Sequence, residues 1–262
     1  MSPDFPVKTD LPENFDRRAA LERLDRVLDP ELDKSILKLG FVESLRVQES
    51  HLTVVLYLPT YFCAPGFVYL MANDVRRELL SVEGVQEVTV RLRDHFAAAA
   101  IETGVNQGRS FSEAFPGEAL GNLDQLRSLF LRKGYLSRQD AFLRVLREAG
   151  LSWKQIADLR IEDVALGERS SFVQCPGDEP VELSAETTGR YLERRSQIGL
   201  DCSPSAPLLT DLNGKAIPAG RLEQHRLHAR TVRVSLEANG SLCSVLLEAR
   251  RRQRAMGGDP DV

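Results

Sequence analysis

The sequence predicts an α+β protein: a small N-terminal α/β sandwich of the order helix-strand-strand-helix-strand, followed by a mainly α C-terminal domain. Three observations predict it. Apolar residues alternate with period two at Leu45 and Val47, from Leu52 to Leu58, and from Val88 to Leu92, the spacing of strands with one buried face. Helical spacing brackets those runs, at Leu21, Leu24, Val27 and Leu28 and again at Phe67, Val68, Met71, Val75 and Leu79. Beyond residue 122 the helical period dominates, and 262 residues are enough for two modest domains, each with its own core.

Residues 1–14 carry three prolines and no periodicity, and read as a flexible lead-in. A helix is expected from Asp16 up to Asp29-Pro30, where proline restricts the residue before it. Past Leu39-Gly40 the two alternating runs, joined at Glu49-Ser50, predict a β-hairpin. The tract Thr60-Tyr61-Phe62-Cys63-Ala64-Pro65-Gly66 then leads into the second helix, which Glu83-Gly84 ends before the third strand. This first domain covers residues 15–93. Residues 94–121 mix Gly104, Gly108, Pro116, Gly117 and Gly121 with few apolar stripes, and read as a connector holding a short helix. The helical domain covers residues 122–250. Within it Ser171 to Gln174 and Val181 to Leu183 predict a brief hairpin across Pro176-Gly177, before a helix from Ala185 to Gln197. Residues 251–262 read as a basic, then flexible, tail.

Composition narrows the function classes. Hydrophobic content of 42%, 27% charged residues and a formal charge of -4 describe an ordinary soluble globular protein with no global pull towards nucleic acid. No apolar run approaches the ~20 residues of a membrane span, and the acidic N-terminus does not resemble a targeting leader, so a cytoplasmic protein is expected. Cys63, Cys175, Cys202 and Cys243 are scattered without CxxC pairs, against a zinc knuckle or a disulfide framework.

Cys63 stands just before a helix, where unpaired N–H groups and the positive end of the helix dipole favour the thiolate, the form that binds metal. A buried filler beside aromatic residues is the plainer reading of such a cysteine. Asp29 and Glu31 flank Pro30 and suit either a capped turn or a hard-ligand contribution to an iron site. His95, past the third strand, is a further ligand candidate or an ordinary packing residue.

The string Val27-Leu28-Asp29-Pro30-Glu31-Leu32, then Ser35-Ile36, Leu39-Gly40-Phe41-Val42, a hairpin, a cysteine before a helix, and Val82-Glu83-Gly84-Val85 resembles the metal–sulfur cluster assembly family of the PaaD/SufT type. The resemblance covers about residues 17–93. It implies that Cys63 is the metal- or cluster-transfer residue, with Asp29 and Glu31 in the acidic motif. Lys38 and Ala64 depart from the family, which usually has an acidic residue and a proline there. The implied protein is no enzyme. It is an accessory maturation factor passing transient iron or an iron–sulfur cluster to a client metalloprotein, with a multicomponent oxygenase as the suggested client and no stable cofactor of its own. One thiolate and two carboxylates make an incomplete cluster site, so a homodimer or the client would supply the rest.

The run from Ala149 to Val164, together with Val181-Glu182-Leu183-Ser184, Pro207-Leu208-Leu209 and Asn213-Gly214-Lys215, resembles a tyrosine-recombinase catalytic domain without its catalytic residues. Ser152 stands where that family's first catalytic arginine is expected. No tyrosine follows Tyr191 to form a covalent phosphotyrosine. Arg226, Arg230 and Arg233, with Lys154, Arg160 and the run Arg250-Arg251-Arg252-Gln253-Arg254, are candidates for a basic surface. A solvated helix face explains them more simply, and nucleic acid is not the expected partner. Two rival functions follow: a DNA-binding or regulatory protein using the second domain, and a metal-free client chaperone.

Overall fold

The computed structural model describes residues 7–117, 123–175, 177 and 179–257. The chain divides into two compact units, Met1–Arg127 with Ala238–Val262, and Ser128–Glu237.

The first unit is built on the sheet β1-β4-β5-β6. β1 (Lys8–Asp10) runs parallel to β4, so part of the segment read as a flexible lead-in is a strand, and residues 1–6 of that reading lie outside the described residues. α1 (Arg17–Asp25) begins where Asp16 accepts the Ala19 N–H at 2.9 Å, an N-cap that satisfies an orphan donor. It ends four residues earlier than the expected proline stop. Leu28 and Asp29 instead form β2 (Leu28–Asp29), paired antiparallel with β3 (Lys34–Ser35).

The hairpin of β4 (Val42–Gln48) and β5 (His51–Tyr57) forms as expected, turning at Glu49, whose φ of 57° is left-handed. α2 (Pro65–Leu79) then crosses to β6 (Glu87–Arg93), which lies parallel to β5. Register explains the alternation seen in the sequence. Leu45, Val54 and Val90 line up across three strands, as do Val47, Leu52 and Val88, and all six are buried. α2 buries Val68, Met71, Ala72, Val75 and Leu79 in the same core.

The segment read as a connector is not one where it is described. α3 (Ala98–Asn106) and α4 (Phe111–Ala114) bury Ile101, Val105 and Phe111 in the first core, and residues 118–122 lie outside the described residues. α3 also closes the sheet edge. Asn106 accepts the Val90 N–H at 2.8 Å and donates to the Val90 carbonyl at 2.9 Å, and Glu102 accepts the Leu92 N–H at 2.7 Å. Backbone groups that would otherwise template another strand are thereby paired.

In the second unit lie most of α5 (Leu123–Glu148), α6 (Trp153–Asp158), the sheet β7 (Val164–Leu166), β8 (Ser170–Val173) and β9 (Val181–Ser184), and α7 (Ala185–Gln197). The expected hairpin is therefore the outer part of a three-stranded antiparallel sheet. Of its turn, Gly177 takes a left-handed φ of 83°, and Pro176 lies outside the described residues. Tyr135, Phe142, Leu146, Tyr191 and Leu208 form the core. Ser152, at the position of the absent catalytic arginine, caps α6 and shares a capping box with Gln155.

α8 (Ala219–Gly257) continues through the residues read as a tail. From Ala238 onward it belongs to the first unit, and Leu247 is buried in that unit's core at 0% exposure. The basic run owes its order to specific partners. Arg250 donates to the Leu58 carbonyl at 2.7 Å, pairs with Asp94 and lies 4.7 Å over the Tyr57 ring. Arg251 donates to the Gly40 carbonyl, and Arg254 pairs with Glu43 at 2.6 Å. Residues 258–262 lie outside the described residues.

Candidate functional site

Cys63 directly precedes Ala64, the N-cap of α2, and Pro65 occupies the first helical position, where its missing N–H costs nothing. The cysteine is half-buried against the first core. Thr60 Oγ1 lies 3.4 Å from its Sγ. His95 fixes the cysteine's backbone: Ala97 N–H donates to Nδ1 at 3.2 Å, which places the ring proton on Nε2, and Nε2 donates to the Cys63 carbonyl at 2.8 Å. With both nitrogens used, His95 positions the cysteine loop. Burial is the main cause that lowers its pKa and keeps the ring neutral, reinforced by the Arg250 charge and opposed by the Cys63 carbonyl bond and Asp94.

Three aromatic residues lie next to the cysteine loop: Tyr61 and Phe62 precede Cys63 in the chain, and Phe96 follows His95, whose ring bonds the Cys63 carbonyl. Tyr61, Phe62 and Phe96 are exposed, Phe62 at 76%, and their ring centroids lie 4.9 to 6.2 Å apart. Solvent-facing aromatic groups of this kind usually mark a contact surface.

Asp29 is buried at 8% exposure and caps the turn, its Oδ1 accepting the Leu32 N–H at 2.8 Å. Burial pushes its carboxyl up to about 6, with the Glu31 charge adding to the rise and the backbone bonds opposing it. Glu31 is half-buried and faces α8, where Asn239 Nδ2 donates to its Oε1 at 3.5 Å.

Sequence reasoning missed Cys243. It is a reduced, half-buried thiol on α8, packed on the same core as Cys63. Burial first, then the charges of Asp29, Cys63 and Glu31, push this thiol up to about 11, so all four side chains share one neighbourhood. The signal that could have found it is the helical repeat Leu236, Asn239, Gly240, Cys243, Leu247, Arg250, which runs unbroken into the supposed tail. Among the described residues, no group of three or more His, Cys, Asp or Glu side chains is placed to hold a metal ion.

The expected basic surface of the second unit is reduced. Arg233 Nε pairs with the buried Asp140 at 2.6 Å and its NH1 with Glu237 at 2.8 Å, so this arginine neutralises an internal carboxylate. Arg226 buries its Nε, whereas Arg230 is exposed. Nearby, His225 Nε2 lies 2.6 Å from Gln139 Oε1, and Gln139 Nε2 donates to Tyr135 Oη and the Thr210 carbonyl. Arg195, fully buried, donates to the carbonyls of Asp201 and Leu208.

Residues 17–90 match the family model described as iron-sulfur cluster assembly protein. The match spans less than a third of the chain and contains Asp29, Glu31 and Cys63. It supports a role in iron–sulfur assembly or maturation. No curated protein and no solved structure matches the chain. Among the described residues, no helix is long and apolar enough to cross a membrane.

Proposed function

We propose that the chain is an accessory maturation factor of the PaaD/SufT type that delivers iron or an iron–sulfur cluster to a client metalloprotein in the cytoplasm and catalyses no reaction of its own. The observation that carries this reading is the position of Cys63: inside the segment matching the assembly family, at the entrance of α2, and beside the exposed rings of Tyr61, Phe62 and Phe96. A soft thiolate suits iron and sulfide cargo, and the aromatic rim suits a protein partner that approaches the thiol. Asp29 and Glu31 supply the acidic neighbourhood of the transfer site, Asp29 from its capping position and Glu31 from the side facing α8. The incomplete ligand set fits cargo that passes through, with the client contributing the remaining ligands. A multicomponent oxygenase is the client class to test first.

Complementation tests the reading. In cells deleted for this chain, iron and acid-labile sulfide in the purified oxygenase components should fall, and wild-type protein should restore them. Cys63→Ala, shown to be folded by circular dichroism, should not. Full restoration by Cys63→Ala would remove the metal-handling role and leave the metal-free chaperone.

A further inference from the structure

Outside the segment matching the assembly family, the chain places a second thiol in the Cys63 neighbourhood. Successive turns of α8 touch the two parts of the site in order. Asn239 bonds Glu31, and at Gly240 an added Cβ would lie 3.5 Å from Lys34 Nζ and 4.0 Å from Leu32 Cδ2, so the helix runs close along the acidic turn. Two turns beyond Cys243, Arg250 bonds the Leu58 carbonyl and Asp94 at the base of the loop that carries Cys63. Leu247, between them, is sealed in the core and fixes the helix's rotation. With a rise of about 1.5 Å per residue, Cys243 sits about 6 Å along the axis from Asn239 and about 10 Å from Arg250, on the face those residues share. Residues of that face bond the acidic turn at one end and the base of the Cys63 loop at the other.

We propose that Cys243 is a second thiolate ligand for the transferred iron, so that Cys63 and Cys243, from opposite ends of the chain, grip it together. The cargo rests on the maturation reading above, whereas the two-thiol grip is a property of the isolated protein. When a divalent ion enters, two S–H bonds break, two metal–sulfur bonds form, and two protons leave to solvent. Two thiolates are still too few for a closed structural site, which leaves coordination positions open to the client.

Anaerobic titration of the full chain with Co2+ reads the number of thiolates from the sulfur-to-cobalt charge-transfer absorption. The expected result is a band that falls to about half in Cys243→Ser and in Cys63→Ser, vanishes in the double variant, and is unchanged in Cys202→Ser. A full-strength band in Cys243→Ser, or no band in the wild-type protein, overturns the proposal. Should Cys243→Ser fail to fold, the wild-type protein decides: bound Co2+ should protect both Cys63 and Cys243 from iodoacetamide, read peptide by peptide by mass spectrometry. Protection of Cys63 alone overturns the proposal. None of these three overturning results touches the maturation reading, which fails only if Cys63→Ala restores the client in cells.

Discussion

Leu247 tests whether the C-terminal end of α8 is part of the assembly-like unit. Its side chain is fully buried in the core of the first unit, so Leu247→Ala removes three carbons from a packed core and leaves a cavity there. Such truncations cost about 2.7–5 kcal/mol. The ion pairs that also hold this stretch, Arg250 with Asp94 and Arg254 with Glu43, are partly exposed, and pairs of that kind contribute at most about 1 kcal/mol each. They cannot offset the loss. Taking a loss of about 3 kcal/mol, the midpoint should drop by roughly 6–12 °C for a chain of this size. The neighbour Val245 is 63% exposed, and Val245→Ala should change stability by less than about 0.5 kcal/mol. Because two units can melt separately, two signals are needed. The single tryptophan, Trp153, lies in the second unit and its fluorescence follows that unit, whereas far-ultraviolet circular dichroism follows both. Leu247→Ala should lower the dichroism midpoint more than the fluorescence midpoint. If it is as silent as Val245→Ala, the helix is not packed as described.

Asp29 gives the metal-free protein a pH signature. Its carboxyl, 3.8 when exposed, rises to about 6 in the fold, so the folded state holds the proton more tightly and stability falls as pH rises from about 4 to about 6, the penalty persisting above. The cost at pH 7 is about 3 kcal/mol. Asp29→Asn keeps an oxygen for the Leu32 N–H and removes the charge that faces Glu31 and Cys243. In urea melts it should gain stability over wild type at pH 7, with the difference shrinking towards pH 4; a pH-independent difference refutes the shift. Gly104→Ala should destabilise by about 1–3 kcal/mol, because a Cβ there would meet Ala114 Cβ at 2.7 Å and Tyr69 Oη at 2.8 Å. An unchanged urea midpoint would mean that α3 does not pack so closely on α2 and α4.

The legible parts of the fold are those whose cause is local. The alternation at Leu45, Val47, Val88 and Val90 dictates strands whatever they pack against, and Pro65 followed by Val68, Met71, Val75 and Leu79 dictates α2. The misread parts have distant causes. Residues 94–121 look like a linker because glycines interrupt their apolar positions, yet Gly104 is small because Tyr69 and Ala114 press on it. Asn106 and Glu102, unremarkable polar residues in the sequence, work as strand-edge partners for β6, a role fixed only once the sheet is formed. In the candidate site, Cys63 was legible from its place before a helix. Cys243 was not, because no local rule says which core a helix face meets.

The arginines carry the same lesson into function. A run such as Arg250-Arg251-Arg252-Gln253-Arg254 has the composition of a phosphate-binding tail, and composition cannot tell a cation facing solvent from one turned inwards. Here three of the four arginines reach backbone carbonyls or acidic side chains of the first unit, at Leu58, Gly40, Asp94 and Glu43. Arg252, on another face of the helix, pairs within it to Glu248. Phosphate contacts would have to compete with these pairs, so a nucleic-acid surface here would form at the expense of the helix's own docking. Because that docking also brings Cys243 to the Cys63 neighbourhood, substitutions that loosen the arginine contacts should weaken the second thiol's hold on metal before they affect the first.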